Sequence, residues 1–199
     1  MTNSLIILGC LAVGILSGIL SLLPQAFLDL DPTGYALYAL LFLVGTGIGG
    51  DGRVWRVLRR LNVGIFFVPL SAVLDTLLGV AVVSAFVPGL GFRESLAVGS
   101  GLGYYSLASV LIAEIGGKTL GVVALLSNIM REFATLLAAP LLARHFGKLA
   151  PIASGGATSM DTTLPVITQC VGMEYAMISV VNGVVLTLLA PVLIVAILR

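Results

Sequence analysis

Charge is what this chain has least of. Asp, Glu, Lys and Arg make up 10% of its 199 residues, against about 25% in an ordinary soluble domain. Ten basic and nine acidic side chains cannot cover a water-facing globule of this size, so most of the surface must face lipid. The net charge of +1 lacks the basic excess of a nucleic-acid binder. A single histidine, His145, and two cysteines, Cys10 and Cys170, offer neither a metal-ligand cluster nor a disulfide framework. The cysteines form no C-x-x-C pattern and read as structural thiols. The opening Met1-Thr2-Asn3-Ser4 contains no Lys or Arg, so the basic start of a secretory signal is missing and the first apolar run is expected to be kept as a helix.

Apolar residues make up 59% of the chain and glycine contributes 24 residues. Small residues let membrane helices approach closely. A spanning helix needs about 20 mostly apolar residues. Segments 4–23, 33–48, 61–87, 95–115, 120–143, 149–171 and 175–198 are candidates. The expected fold is an all-α integral membrane protein, a polytopic helical bundle of one transporter domain with two broken or re-entrant helices. Basic residues in short loops mark the cytoplasmic side. Arg53, Arg56, Arg59 and Arg60 place the loop after the second segment inside, and Asp29 and Asp31 place the preceding loop outside. Counting every later segment as one crossing puts Lys118 inside but Arg144 and Lys148 outside, which conflicts with the same rule.

Ionisable groups at membrane depth cost about 2.5–3.5 kcal/mol each on insertion scales and therefore face protein or a wet cavity. Asp75 shares a helix face with Ser71 and Gly79 in the third segment. Glu114 ends the fourth, on the face of Ser106. Arg131 and Glu132 lie in the middle of the fifth, where Glu132 shares a face with Asn128 and lies near Thr135. Ser179, Asn182, Gly183 and Thr187 form a comparable small and polar stripe in the last segment. Two stretches are poor helix: Gly99 to Ser106, with glycine at 99, 101 and 103, and Ala153 to Pro165, rich in Gly, Ser and Thr around Asp161. Irregular backbone at membrane depth survives only where protein or a cavity satisfies it, and such breaks build substrate and ion sites in secondary transporters. Asp161 also stands where a helix would restart, so a capping role competes with a binding one. Arg131 and Asp75 read as charge-balancing residues.

Several apparent motifs carry no chemistry. Gly99-x-Gly101-x-Gly103 is a partial dinucleotide fingerprint, but Tyr104 follows and no strand precedes it. A serine–histidine dyad of His145 with Ser159 or Ser106 lacks a G-x-S-x-G turn. An enzyme is not expected.

The runs Phe42-Leu-Val-Gly45, Gly99-Ser-Gly-Leu-Gly-Tyr-Tyr-Ser-Leu107, Glu114, Asn128-Ile-Met-Arg131-Glu132 and Gly156-Ala-Thr-Ser-Met-Asp161-Thr-Thr-Leu-Pro165 resemble the LysO-type bacterial lysine exporters. The last run is the most specific. The resemblance spans about Thr33 to the C-terminus and implies export of L-lysine and its analogue thialysine across the inner membrane of a prokaryote. It further implies that Glu132 and Asp161 match the family's intramembrane acidic pair. Typical members carry additional spanning helices before this region. A small membrane protein supplying them, or self-assembly, is therefore an expected partner beside lysine and lipid.

The expected substrate and proton site comprises Glu132, Asp161, Asn128, Glu114, Tyr104, Tyr105, Ser106, Thr158 and Ser159. Burial raises a carboxyl pKa, so Glu132 or Asp161 is expected to exchange a proton for the lysine ammonium. No cofactor is expected, and protons are the expected coupling ion. Rival readings are a cation/proton antiporter, an organic-anion carrier and, from another class, an intramembrane enzyme.

Overall fold

A computed structural model describes residues 63–199 continuously and a few isolated positions before them. Candidate segments 4–23 and 33–48, the arginines at 53–60 and Cys10 lie outside the described residues. The chain forms two compact units, Met1–Ala39 and Leu40–Arg199. Residues 63–199 all belong to the second unit.

Residues 63–199 form seven α-helices, and there are no strands among the described residues. A 3₁₀ turn at Val63–Phe66 leads into α1 (Phe67–Ser84). Two short helices, α2 (Phe92–Gly99) and α3 (Tyr105–Gly116), follow. Then come the long α4 (Lys118–Phe146) and two more short helices, α5 (Ala150–Gly155) and α6 (Leu164–Val171). The last is α7 (Ala176–Leu198). The helical runs Phe67–Ser84, Lys118–Phe146 and Met173–Leu198 are long and apolar enough to cross a membrane. The protein is an all-α membrane protein.

The surface is inverted relative to a soluble bundle. On α4, Leu126, Met130, Phe133, Leu137 and Leu141 are exposed, while Gly121, Ala124, Asn128, Thr135 and Ala139 are buried. Large apolar side chains thus point outward, and small or hydrogen-bonding ones pack inward, as expected where lipid is the solvent. Gly121 lets α4 press against α3, since a Cβ there would strike the Ser109 carbonyl and Ala113.

The short helices pair into two hairpins. In the first, α2–α3, both outer ends sit at the C-terminal end of α7. The Arg93 guanidinium donates to the Ile197 carbonyl at 2.9 and 3.1 Å, and Gly116 packs beside Leu198. In the second, α5–α6, the flanking residues meet at the other end of α7. Lys148 Nζ lies 3.7 Å from Glu174 Oε1 and 5.1 Å from the centre of the Tyr175 ring. Ile152, Ile167 and Val171 pack there with Val68, from the start of α1. The hairpins therefore enter from opposite ends and their tips touch. The Ala157 N–H donates to the Leu102 carbonyl at 2.8 Å. Leu102 and Ala157 also share one apolar cluster with Ala72 and Val73 of α1 and Leu186 of α7.

Candidate functional site

Each tip requires a backbone conformation that ordinary helix cannot supply. Leu102 (φ 51°) is the one non-glycine residue with positive φ among the described residues, and Gly156 (φ 63°) occupies the matching place in the second hairpin. A left-handed leucine costs about 1–2 kcal/mol. The cost is borne because the turned Leu102 carbonyl reaches the other tip. A Cβ on Gly156 would collide with that same oxygen, so glycine is required there by contact as well as by φ.

Two asparagines on the long helices hold the tips. Asn128 on α4 accepts from the Gly103 N–H at 2.8 Å and donates to the Val98 and Ala124 carbonyls. Asn182 on α7 donates to the Ile152 and Gly156 carbonyls and lies 3.0 Å from Ser159 Oγ. The two arrangements repeat in sequence. The same number of residues separates Val98 from Ile152, Leu102 from Gly156 and Asn128 from Asn182. Each hairpin is also followed by a left-handed glycine, Gly117 (φ 96°, ψ 157°) and Gly172 (φ 103°, ψ 153°), before the long helix. A helix–tip–helix–glycine–long-helix unit thus occurs twice, in opposite directions. The hydrogen bonding is not equivalent, however. Asn128 Oδ1 has the Gly103 N–H as its partner, whereas the buried Asn182 Oδ1 has no donor among the described residues.

A cavity of about 100 Å³ opens beside the joined tips. Tyr104, Tyr105 and Ser106 contribute from the first hairpin, Thr158, Asp161 and Thr162 from the second, and Thr187 from α7. Asp161 is exposed, and its carboxylate accepts from its neighbour's N–H (Thr162, 2.6 Å). It does not cap α6, whose N-cap is Thr163. Its second oxygen is free to meet a ligand. The two tyrosines are half-buried and Thr158 is buried, donating to the Gly155 carbonyl.

The other sequence candidates stand elsewhere. Glu132 is half-buried, with no hydrogen bond or ion pair among the described residues, and does not line this cavity. Glu114 is exposed near the outer end of α3, which the helix carries away from the tip by roughly 1.5 Å per residue. Ser159 is tied to Ser179: its Oγ lies 2.7 Å from the Gly156 carbonyl and 2.9 Å from the Ser179 carbonyl, its one proton serving either, and Ser179 Oγ donates to the Ser159 carbonyl at 2.7 Å. It fastens the second tip to α7. Asn128 is held by the first tip through both ends of its amide, the oxygen accepting from the Gly103 N–H and the nitrogen donating to the Val98 and Ala124 carbonyls.

Arg131 does not balance Asp75. Its Nε and Nη2 donate to the Ser154 and Ala153 carbonyls at the end of α5, and Nη1 donates to Thr76 Oγ1 at 3.0 Å. A cation at a helix C-terminus satisfies orphan carbonyls and complements the dipole. Asp75 lines an open groove along with Arg131 but makes no ion pair with it. Sequence reasoning did not place Asn182, Thr162 or Thr187 at the site. The polar stripe of α7 was the available signal.

A family model described as the lysine exporter LysO matches residues 8–198. The chain belongs to the LysO lysine exporter family. It is 34% identical over 196 residues to the lysine exporter LysO of Escherichia coli (strain K12), an alignment covering 96% of this chain and 63% of that protein. The chain therefore spans less than two-thirds of the length of this LysO relative. It is also 34% identical over 161 residues to a Haemophilus influenzae protein named provisionally as a lysine exporter, covering 81% of each. No solved structure is significantly similar to it.

Proposed function

We propose that this chain is the hairpin-bearing part of a secondary transporter that exports L-lysine, and with it thialysine, from the cytoplasm across the inner membrane of a prokaryote in exchange for protons. The observation that carries this reading is the pair of oppositely directed hairpins whose tips meet beside a cavity containing an unpaired carboxylate, Asp161. The relatives' printed function supplies the substrate. A lysine side chain presents a compact ammonium with three donors, and an accessible carboxylate is its natural partner. The half-buried, unpaired Glu132 is a second carboxylate. Outward movement of one Lys⁺ opposes an inside-negative potential by about 2.3 kcal/mol per 100 mV. Inward movement of a proton offsets that charge, and two carboxylates suffice to carry proton and substrate in turn.

The repeated unit suggests how the site changes sides. Here the Ala157 N–H bonds to the Leu102 carbonyl while the Gly103 N–H bonds to Asn128. The mirror arrangement would pair the Gly103 N–H with the Gly156 carbonyl and the Ala157 N–H with the orphan oxygen of Asn182. Inverted repeats that exchange conformations give alternating access around a fixed central site. The test is lysine efflux from cells lacking their own exporter, with this chain expressed alone and with any adjacent membrane partner. Lysine retention in both cases, despite membrane insertion, would overturn the reading. A partner or second copy supplying further helices belongs to the same proposal.

A further inference from the structure

Thr187 departs from the behaviour of Thr76, Thr135 and Thr168. A threonine in a helix ordinarily returns its hydroxyl to the carbonyl three or four residues back. Thr76 donates to Ala72, Thr135 to Arg131 and Thr168 to Leu164. Thr187, in the middle of α7 and only 3% exposed, makes no such bond, and its Oγ1 has no hydrogen-bond partner among the described residues. A buried polar group left in this state costs about 1–3 kcal/mol, and such orphans call for an explanation. Valine of nearly the same shape would remove the cost. Thr187 also forms part of the wall of the tip cavity that contains Asp161. That cavity has room for an ammonium group and the last carbons of its stem, not for a whole amino acid.

We infer that Thr187 is a binding residue of a primary-ammonium subsite: its hydroxyl, covered in this conformation, turns to the cavity so that its oxygen and the Asp161 carboxylate accept from the same –NH₃⁺ group. The inference rests on the transport reading for its setting and adds the subsite's composition and selectivity. A primary ammonium has three donors for the carboxylate, the hydroxyl and a third acceptor. A trimethylated ammonium has none and is bulkier, so it should be rejected by unpaired acceptors as well as by size.

The test uses the whole chain in lipid vesicles, with Cys10 and Cys170 changed to serine and Met160→Cys placed in the cavity wall as a labelling reporter. The probe is n-butylammonium, which is the lysine side chain without its amino-acid head. It should protect the reporter in the parent and in Thr187→Ser. Thr187→Val should need about tenfold more probe, the loss of one hydrogen bond to a charged group. Butyltrimethylammonium should not protect. Thr187→Val should also melt no lower than the parent, because it relieves an unsatisfied hydroxyl. Equal protection in Thr187→Val and parent would overturn the inference even if the parent transports lysine. Equal loss in the valine and serine variants, with lowered melting, would overturn it in favour of a packing role. Thr187-dependent protection in a chain that moves no lysine would uphold the subsite while sinking the transport reading.

Discussion

Asp161 and Arg131 show how residues of similar cost to bury end in different roles. Asp161 keeps an oxygen unused at a cavity, while the Arg131 guanidinium donates to two scaffold carbonyls and a threonine hydroxyl. Asp161→Asn should therefore abolish lysine efflux while leaving melting near the parent value, and Glu132→Gln should do the same, as measured by efflux assay and thermal unfolding in detergent. Normal efflux in either variant would remove that acid from the mechanism. Arg131→Ala should instead lower stability by on the order of 2–4 kcal/mol, since two carbonyls and a hydroxyl lose their charged donor. Arg131→Lys should recover only part of this, because a lysine cannot fork to two carbonyls with fixed geometry. The sequence made the acids legible, because a carboxylate in an apolar run stands out. It did not show their depth: Glu114 and Asp161 look alike in sequence, yet one lies near an outer helix end and the other at the tip. Nor could it show that Ser159 is consumed by Ser179 or that the Thr187 hydroxyl is left over, since both depend on partners 20 or more residues away or on a bond that is not made.

At the scale of elements, regular α-helix stops at 100–104 and again from Gly156 onward, within stretches rich in glycine and small polar residues. What local composition could not reveal is direction. A broken helix that continues and a hairpin that turns back contain the same glycines; the difference lies in contacts such as Arg93 with Ile197 and Lys148 with Glu174. The repeat is faint in the sequence because few side chains match between the units beyond Ser100-Gly101 with Ser154-Gly155 and the two asparagines. If the tips exchange hydrogen-bond patterns during transport, the asparagines should act in opposite directions. Asn128→Ala removes the acceptor that favours the present pattern, whereas Asn182→Ala removes the acceptor the mirror pattern needs. A cysteine at Tyr105, labelled separately from each side of the membrane, should shift its accessibility one way in the first variant and the other way in the second. A shift in the same direction, or none, would rule out the exchange.

For the whole molecule, the hairpins change the count of crossings and with it the charge argument. If α2–α3 returns to the side it started from, α1 begins at the same end as α4 finishes. Val68 of α1 packs with Ala143 of α4, and Arg144 and His145 lie in the last turn of α4. The arginines at 53–60 shortly precede Val63 in the chain. Arg144 and Lys148 then lie at the end from which α1 starts, the end that the basic run preceding it in the sequence marks as cytoplasmic, while Lys118 moves to the opposite side. The alternative counts predict different labelling. With Cys10 and Cys170 replaced, Pro88→Cys and Lys118→Cys should react with an impermeant thiol reagent from one side, the periplasmic face. His145→Cys and Met173→Cys should react only after the cytoplasmic face is opened. A full crossing between residues 95 and 115 would instead put Pro88 and Lys118 on opposite faces. That result would dismantle the opposed-hairpin arrangement and leave the Leu102–Ala157 contact without a role in alternating access.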